Sequence, residues 1–263
     1  MGNLFLKPTV QGFNPISINP PPVGGYQADL FLDIAERIDG YQAKIKASPA
    51  NSKARAGQLY QAVPQSEAVA IPIEDAVAPW WSGQVLWMNK TADGGLPHTR
   101  PPYYICLPSN IPLKSLSTTL LHERIHLHQR RYPDKWTAFF KDKWNMKVWS
   151  NGALPADIEA KRRLNPDLLQ VPFYVWKDKW VPLCVFNDAG KPSLTNSSTV
   201  WFDIEKKVLI KTAPDGWYDF FGKVPDDEHP WEISAYYIPD KGLKSPAKDE
   251  LMKFVPTLPK TFL

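Results

Sequence analysis

The chain has little of what would place it in several large protein classes. Its 263 residues include only two cysteines, Cys106 and Cys184, each in an apolar strand-like run and without C-x-x-C spacing. That excludes a disulfide scaffold and fits buried free thiols in a reducing compartment. No apolar run reaches the roughly 18 residues of a membrane span, and the opening Met-Gly-Asn-Leu-Phe-Leu-Lys-Pro has no apolar core of a secretory signal. An intracellular or virion-associated location is the expectation. Gly2 raises N-myristoylation, yet Leu6 stands where that motif has Ser or Thr. Charge of one sign is scarce as well: the net charge is +4, with Lys and Arg scattered among Asp and Glu. No nucleic-acid footprint follows from such a distribution. Glycine is outnumbered by proline, 14 to 27, which predicts many short elements and long connections. With 43% hydrophobic and 13% aromatic residues, the chain can fill a core in one domain or two small ones.

What the chain does have is Leu120-Leu-His-Glu-Arg-Ile-His-Leu127, an H-E-x-x-H pattern. On a helix, His122 and His126 lie about 40° apart around the axis with Cβ atoms about 5–6 Å apart, so both can ligate one metal ion. Glu123 lies about 100° from His122, badly placed as a third ligand from the same turn but able to take a proton from a metal-activated water. The expectation is Zn2+ held by the two imidazoles, with Glu123 as general base. His128 points about 200° from His126, outside that metal's reach, and reads as a surface or packing histidine. The helix is predicted over 116–132: Ser115 or Ser117 can cap it, no Gly or Pro interrupts it, and Pro133 stops it. Leu116, Leu120 and Leu127 give it a face to bury.

Elsewhere, Leu30, Ile34, Ile38, Tyr41 and Ile45 recur at helical spacing and predict a scaffold helix over 26–47. The Pro-, Asn- and Gly-rich 1–25 reads as an extended arm, and 71–81 shows no clear period. Strands are predicted over 84–89 and 103–107. Between them, His98 and Arg100 are either substrate contacts, reaching a carbonyl or carboxylate, or structural residues of a Gly/Pro turn. A second helix after Pro133 carries the stripe Trp136, Phe139, Phe140 and Trp144, read as core, and a short helix is expected over 157–163. Two hairpins, 171–176 with 180–186 and 199–204 with 207–212, predict an inserted antiparallel sheet. In Asp227-Glu-His-Pro-Trp-Glu-Ile-Ser-Ala-Tyr-Tyr237, Pro230 suits a first helical turn, and Glu232, Ala235 and Tyr236 fall along one face. The Pro- and Lys-rich 241–263 reads as a tail that packs as a strap or binds a partner.

At His122-Glu123-x-x-His126 the chain resembles the zincin metallopeptidases. Metzincins add a Gly and a third His, but Gln129 and Tyr132 stand at those places here. Gluzincins take a Glu from a later helix instead, and Glu232-Ile-Ser-Ala is similar to that helix, where small residues allow a close approach. The resemblance implies an α+β, zincin-like domain over about 26–240: an active-site helix next to a small sheet, the hairpins of about 171–212 as an insertion, and a third-ligand helix. It gives strand 103–107, or its neighbour, the task of pairing with a peptide substrate. It also implies His122, His126 and Glu232 as ligands, Glu159 being the rival third ligand, and peptide or protein substrates. From their place near Glu232, His229 could act as a catalytic donor to the oxyanion and Tyr236 as a substrate contact, the alternative for His229 being a surface residue at the helix N-terminus. Gly-Leu-Pro-His-Thr-Arg100 with the H-E-x-x-H stretch also resembles uncharacterised proteins of large DNA viruses. Two other classes stay open. One is a structural or virion-associated module whose metal only ties helices together, with Pro-rich termini for partners. The other is a peptide deformylase, whose EGCLS motif has only a faint echo in Ile105-Cys-Leu-Pro-Ser109.

Overall fold

The computed structural model describes residues 23–67, 83–150 and 152–259. Most of the expected arm, and the stretch 71–81, therefore lie outside the described residues. The helix expected over 26–47 is two helices, α1 (Gly25–Asp39) and α2 (Tyr41–Ala47), followed by α3 (Pro49–Ala54). Gly40 divides the first two at φ 62°, a left-handed conformation that ends a helix and that glycine adopts without strain. The stripe on α1 also faces the other way from a buried one. Leu30, Ile34 and Ile38 are 43%, 42% and 46% exposed, while Ala28, Leu32, Ala35 and Asp39 pack inward. Asp39 is drawn in by Arg100, whose Nε lies 2.7 Å from its Oδ2.

The first sheet joins β1 (Gln84–Met88), β2 (His98–Arg100) and β3 (Tyr104–Pro108) in the order β1-β3-β2, with β3 parallel to β1 and antiparallel to β2. Four residues after β3 the chain enters α4 (Leu113–Arg131). Leu116, Leu120 and Leu127 then pack on Val85, Trp87, Ile105 and Leu107. The start of α4 is three residues earlier than expected. Pro112 stands at the N-cap and no side chain caps the helix; the Ser115 hydroxyl donates to the Pro112 carbonyl instead. Both edges of this sheet are engaged. The Thr99 N–H on β2 donates to Asp167 Oδ1 at 2.7 Å, and along β1 the Val23 N–H bonds the Val85 carbonyl and the Val63 N–H the Trp87 carbonyl. Central β3 has no edge to offer, so the expected pairing of 103–107 or its neighbour with a peptide substrate does not fit this sheet.

The rest of the chain supplies α5 (Pro133–Trp144), β4 (Met146–Val148), α6 (Ala156–Glu159), β5 (Tyr174–Trp176), β6 (Trp180–Phe186), β7 (Ser197–Asp203), β8 (Val208–Ile210), α7 (Trp217–Phe221), α8 (Pro230–Tyr237) and α9 (Pro246–Phe254). The two expected hairpins are β5–β6 and β7–β8, and β6 pairs with β7 to make one antiparallel meander, β4-β5-β6-β7-β8. Lys177 and Asp178, at φ 50° and 56°, form the turn of the first hairpin. The stripe Trp136, Phe139, Phe140 and Trp144 is core, packed with Trp176 and Trp201 of the sheet, Trp217 of α7 and Tyr237 of α8. The stretch expected as a strap instead forms α9. Ser245 Oγ caps it by accepting from the Lys248 N–H, and Ala247 and Leu251 are fully buried. The architecture is mixed α+β. Among the described residues, no helix is long and apolar enough to cross a membrane.

Candidate metal centre

α4 and α8 cross so that three donor atoms converge. His122 Nε2 and His126 Nε2 are 3.1 Å apart, and Glu232 Oε2 lies 3.4 Å from each. This group could hold a metal ion. Glu159 has no part in it, since its carboxylate is held by Arg162 at 2.6 Å on the outer surface.

Two of the three candidate ligands are fixed from behind by hydrogen bonds. His126 Nδ1 donates to Gln129 Oε1 at 2.9 Å, which leaves the Nε2 lone pair for a metal. The Gln129 amide donates in turn to the Trp231 carbonyl at 3.1 Å and to Ser234 Oγ at 2.8 Å, both on α8. One side chain thus orients a ligand on α4 and ties that helix to the one carrying Glu232. Ser234 is fully buried; a larger residue would hold the helices apart. On the other side, Asn165 Nδ2 donates to Glu232 Oε1 at 2.8 Å, so Oε2 is the oxygen left for the imidazoles. Asn165 also bonds Glu228, which shares Arg163 with Asp226. Tyr236 lays its ring edge-on to His122 at 4.6 Å.

Electrostatics follow from burial and from the crowd of carboxylates. Burial pushes Glu232 up, but the His126 charge and the hydrogen bonds from both imidazoles outweigh it and hold the carboxyl well below its usual range. Burial pushes His126 down, yet Glu232 and Asp167 more than offset this and raise it to about 10. Burial, then the nearby Asp167, drives Glu123 well above a normal carboxyl. Its Oε2 is buried without a hydrogen-bond partner. His122, Glu123, Glu232 and Tyr236 line a cleft of about 410 Å³, with Thr118, Thr119 and Asp167 nearby on its wall.

Three expected site residues are placed otherwise. Arg100 is fully buried, with its guanidinium held by Asp39, Glu36 and Tyr60, so that each of its three nitrogens already has a partner. His98 lines the cleft, but its Nδ1 donates to the Leu96 carbonyl and its Nε2 accepts from the Tyr60 hydroxyl. Burial lowers its pKa, so it is a neutral structural ring. His229 is the N-cap of α8: Nδ1 accepts from the Trp231 N–H and Nε2 donates to the Pro172 carbonyl. Burial brings it down to about 4, and both nitrogens are spoken for, which removes it as a catalytic donor. His128 accepts from Trp136 Nε1 and bonds the Pro259 carbonyl, a packing role. Cys106 is a buried thiol, pushed up to about 12 by burial.

No protein-family model, curated protein or solved structure matches the chain. The functional argument therefore rests on the site itself.

Sequence reading missed Gln129, Asn165, Arg163 and Asp167. Gln129 alone carried a signal, because three residues after His126 it shares that ligand's helical face. The others sit in a connecting segment whose place beside α8 no spacing rule conveys.

Proposed function

We propose that the protein is a zinc-dependent hydrolase of peptide bonds, with a zincin-like arrangement of the gluzincin kind. The observation that carries this reading is a three-ligand triangle beside a cleft whose wall also carries the Glu123 carboxylate. Donor separations of 3.1–3.4 Å are close to the roughly 3.3–3.4 Å expected between neighbours in a tetrahedral zinc site with bonds of about 2.0–2.1 Å. His122, His126 and Glu232 would hold the ion, which when bound supplies a Lewis acid to polarise a carbonyl and acidify water. Glu123, adjacent to His122 in sequence and on the wall of the cleft, takes the proton of the attacking water and returns it to the leaving amine. Tyr236, held protonated by burial and by Glu232, stands beside His122 as a hydrogen-bond donor for the developing oxyanion.

The rival reading is a structural or virion-associated protein whose metal only ties α4 to α8. The engaged edges of the first sheet favour it, because among the described residues they leave no free edge of that sheet for an extended substrate. Against it stands the open fourth side: structural zinc sites are usually closed by four protein ligands. Glu123→Gln decides between the two. The hydrolase reading expects the variant to bind one zinc as the wild type does and to lose hydrolysis of a fluorogenic peptide library. Equal turnover by the variant, or no turnover by the zinc-loaded wild type on any member, would sink it.

A further inference from the structure

The wall of the cleft is strongly unbalanced in charge. Six carboxylates line it against two guanidinium groups, those of Arg55 and Arg163. Both guanidinium groups are already ion-paired. Arg55 Nε is 2.6 Å from Asp93, and Arg163 is shared by Asp226 and Glu228. The surplus is concentrated next to the metal ligands. Glu123 Oε2 is buried with no partner, in a residue that is 2% exposed. Asp167, 4% exposed, accepts two bonds from Thr99 and takes both on Oδ1. Asp167 is neither paired with a lining arginine nor among the metal ligands. A cleft lined by one sign of charge within low-dielectric walls concentrates the opposite sign and repels its own.

We infer that the cleft selects substrates carrying a cation, an ammonium or a guanidinium, on the residue next to the bond cleaved, with Asp167 as its counter-ion. This rests on the metallopeptidase reading and narrows it. Among the described residues, no lining cation is left to hold a substrate's C-terminal carboxylate, so recognition of that group is not what the cleft is built for. The cation has two sources in a peptide, a basic side chain or a free α-amino group.

The test is calorimetric binding of small hydroxamates to the zinc-loaded full chain, which needs no turnover. N-acetyl-lysine hydroxamate against N-acetyl-norleucine hydroxamate isolates side-chain charge. Norleucine hydroxamate against its N-acetyl form isolates the α-amine. At least one of the two ratios should favour the cationic member tenfold or more, and that ratio should fall towards one in Asp167→Asn, which retains an oxygen for Thr99. Both ratios near one in the wild type would overturn the proposal while leaving the metal centre standing. A ratio unchanged in the variant would overturn the role given to Asp167. Failure of every hydroxamate to bind would overturn the metal-centre reading and this proposal together.

Discussion

Gln129 offers the sharpest perturbation, because its three hydrogen bonds serve two separable purposes. The side chain is fully buried. Its oxygen takes the proton of His126 Nδ1, and its nitrogen serves the Trp231 carbonyl and Ser234. Gln129→Met keeps the length and removes all three. At about 0.5–1.5 kcal/mol net per bond, with His126 Nδ1 left unpaired in the interior, the metal-free protein should lose about 2–4 kcal/mol. Loss of the partner that orients a ligand imidazole typically weakens metal binding by about 10- to 100-fold. Gln129→Glu separates the two effects. It keeps an acceptor for His126, so zinc affinity should stay within about threefold of the wild type. Its oxygen would face the Trp231 carbonyl where an N–H stood, so stability should still fall. Competition against a chromophoric chelator gives the affinities, and urea unfolding of the metal-free proteins gives the stabilities. If Gln129→Met binds zinc as tightly as the wild type, the claim that this amide sets the His126 ring is wrong.

Three further outcomes follow from the same coordinates. Glu232→Ala should abolish stoichiometric zinc by elemental analysis, whereas Glu159→Ala should retain one equivalent, since only the former carboxylate meets the imidazoles. Arg100→Met leaves Asp39 and Glu36 without their buried partner; it should destabilise the fold by about 3–5 kcal/mol and leave zinc affinity unchanged, the opposite of what a substrate contact would do. The metal-free protein should lose the contributions of two histidines on opposite sides of about pH 6.5. His229, at about 4 when folded, takes its proton more readily unfolded, so its contribution is lost as pH falls from about 6.5 to about 4. His126, raised to about 10, holds its proton more tightly when folded, so its contribution is lost as pH rises from about 6.5 to about 10. Saturating zinc should abolish the alkaline limb, because the metal takes the nitrogen that carried the proton; urea midpoints across pH, with and without zinc, check both limbs.

Local rules made the helices and hairpins legible, and long-range ones were needed for the rest. Pro133, the aromatic stripe of α5 and the alternation of β5 to β8 are encoded within a few residues of themselves, and the structure has elements there. Glu232 was reachable because a first-turn Glu followed by Ser234 and Ala235 is a local pattern too, but its distance of over a hundred residues from His126 gave no reason for the two helices to meet. The reason is the aromatic core. α5 and the meander present Trp144, Trp176 and Trp201, on which α7 and α8 pack through Trp217 and Tyr237; α8 returns to α4, and Gln129 fastens the pair. The errors have the same origin. His98, Arg100 and His229 carry chemistry-bearing side chains in suggestive surroundings, and a sequence does not show that Tyr60, Asp39 and the Pro172 carbonyl have already claimed them. A polar residue's availability depends on its partners in space. Glu123, whose buried oxygen has none, is for that reason the residue on which a catalytic role weighs most.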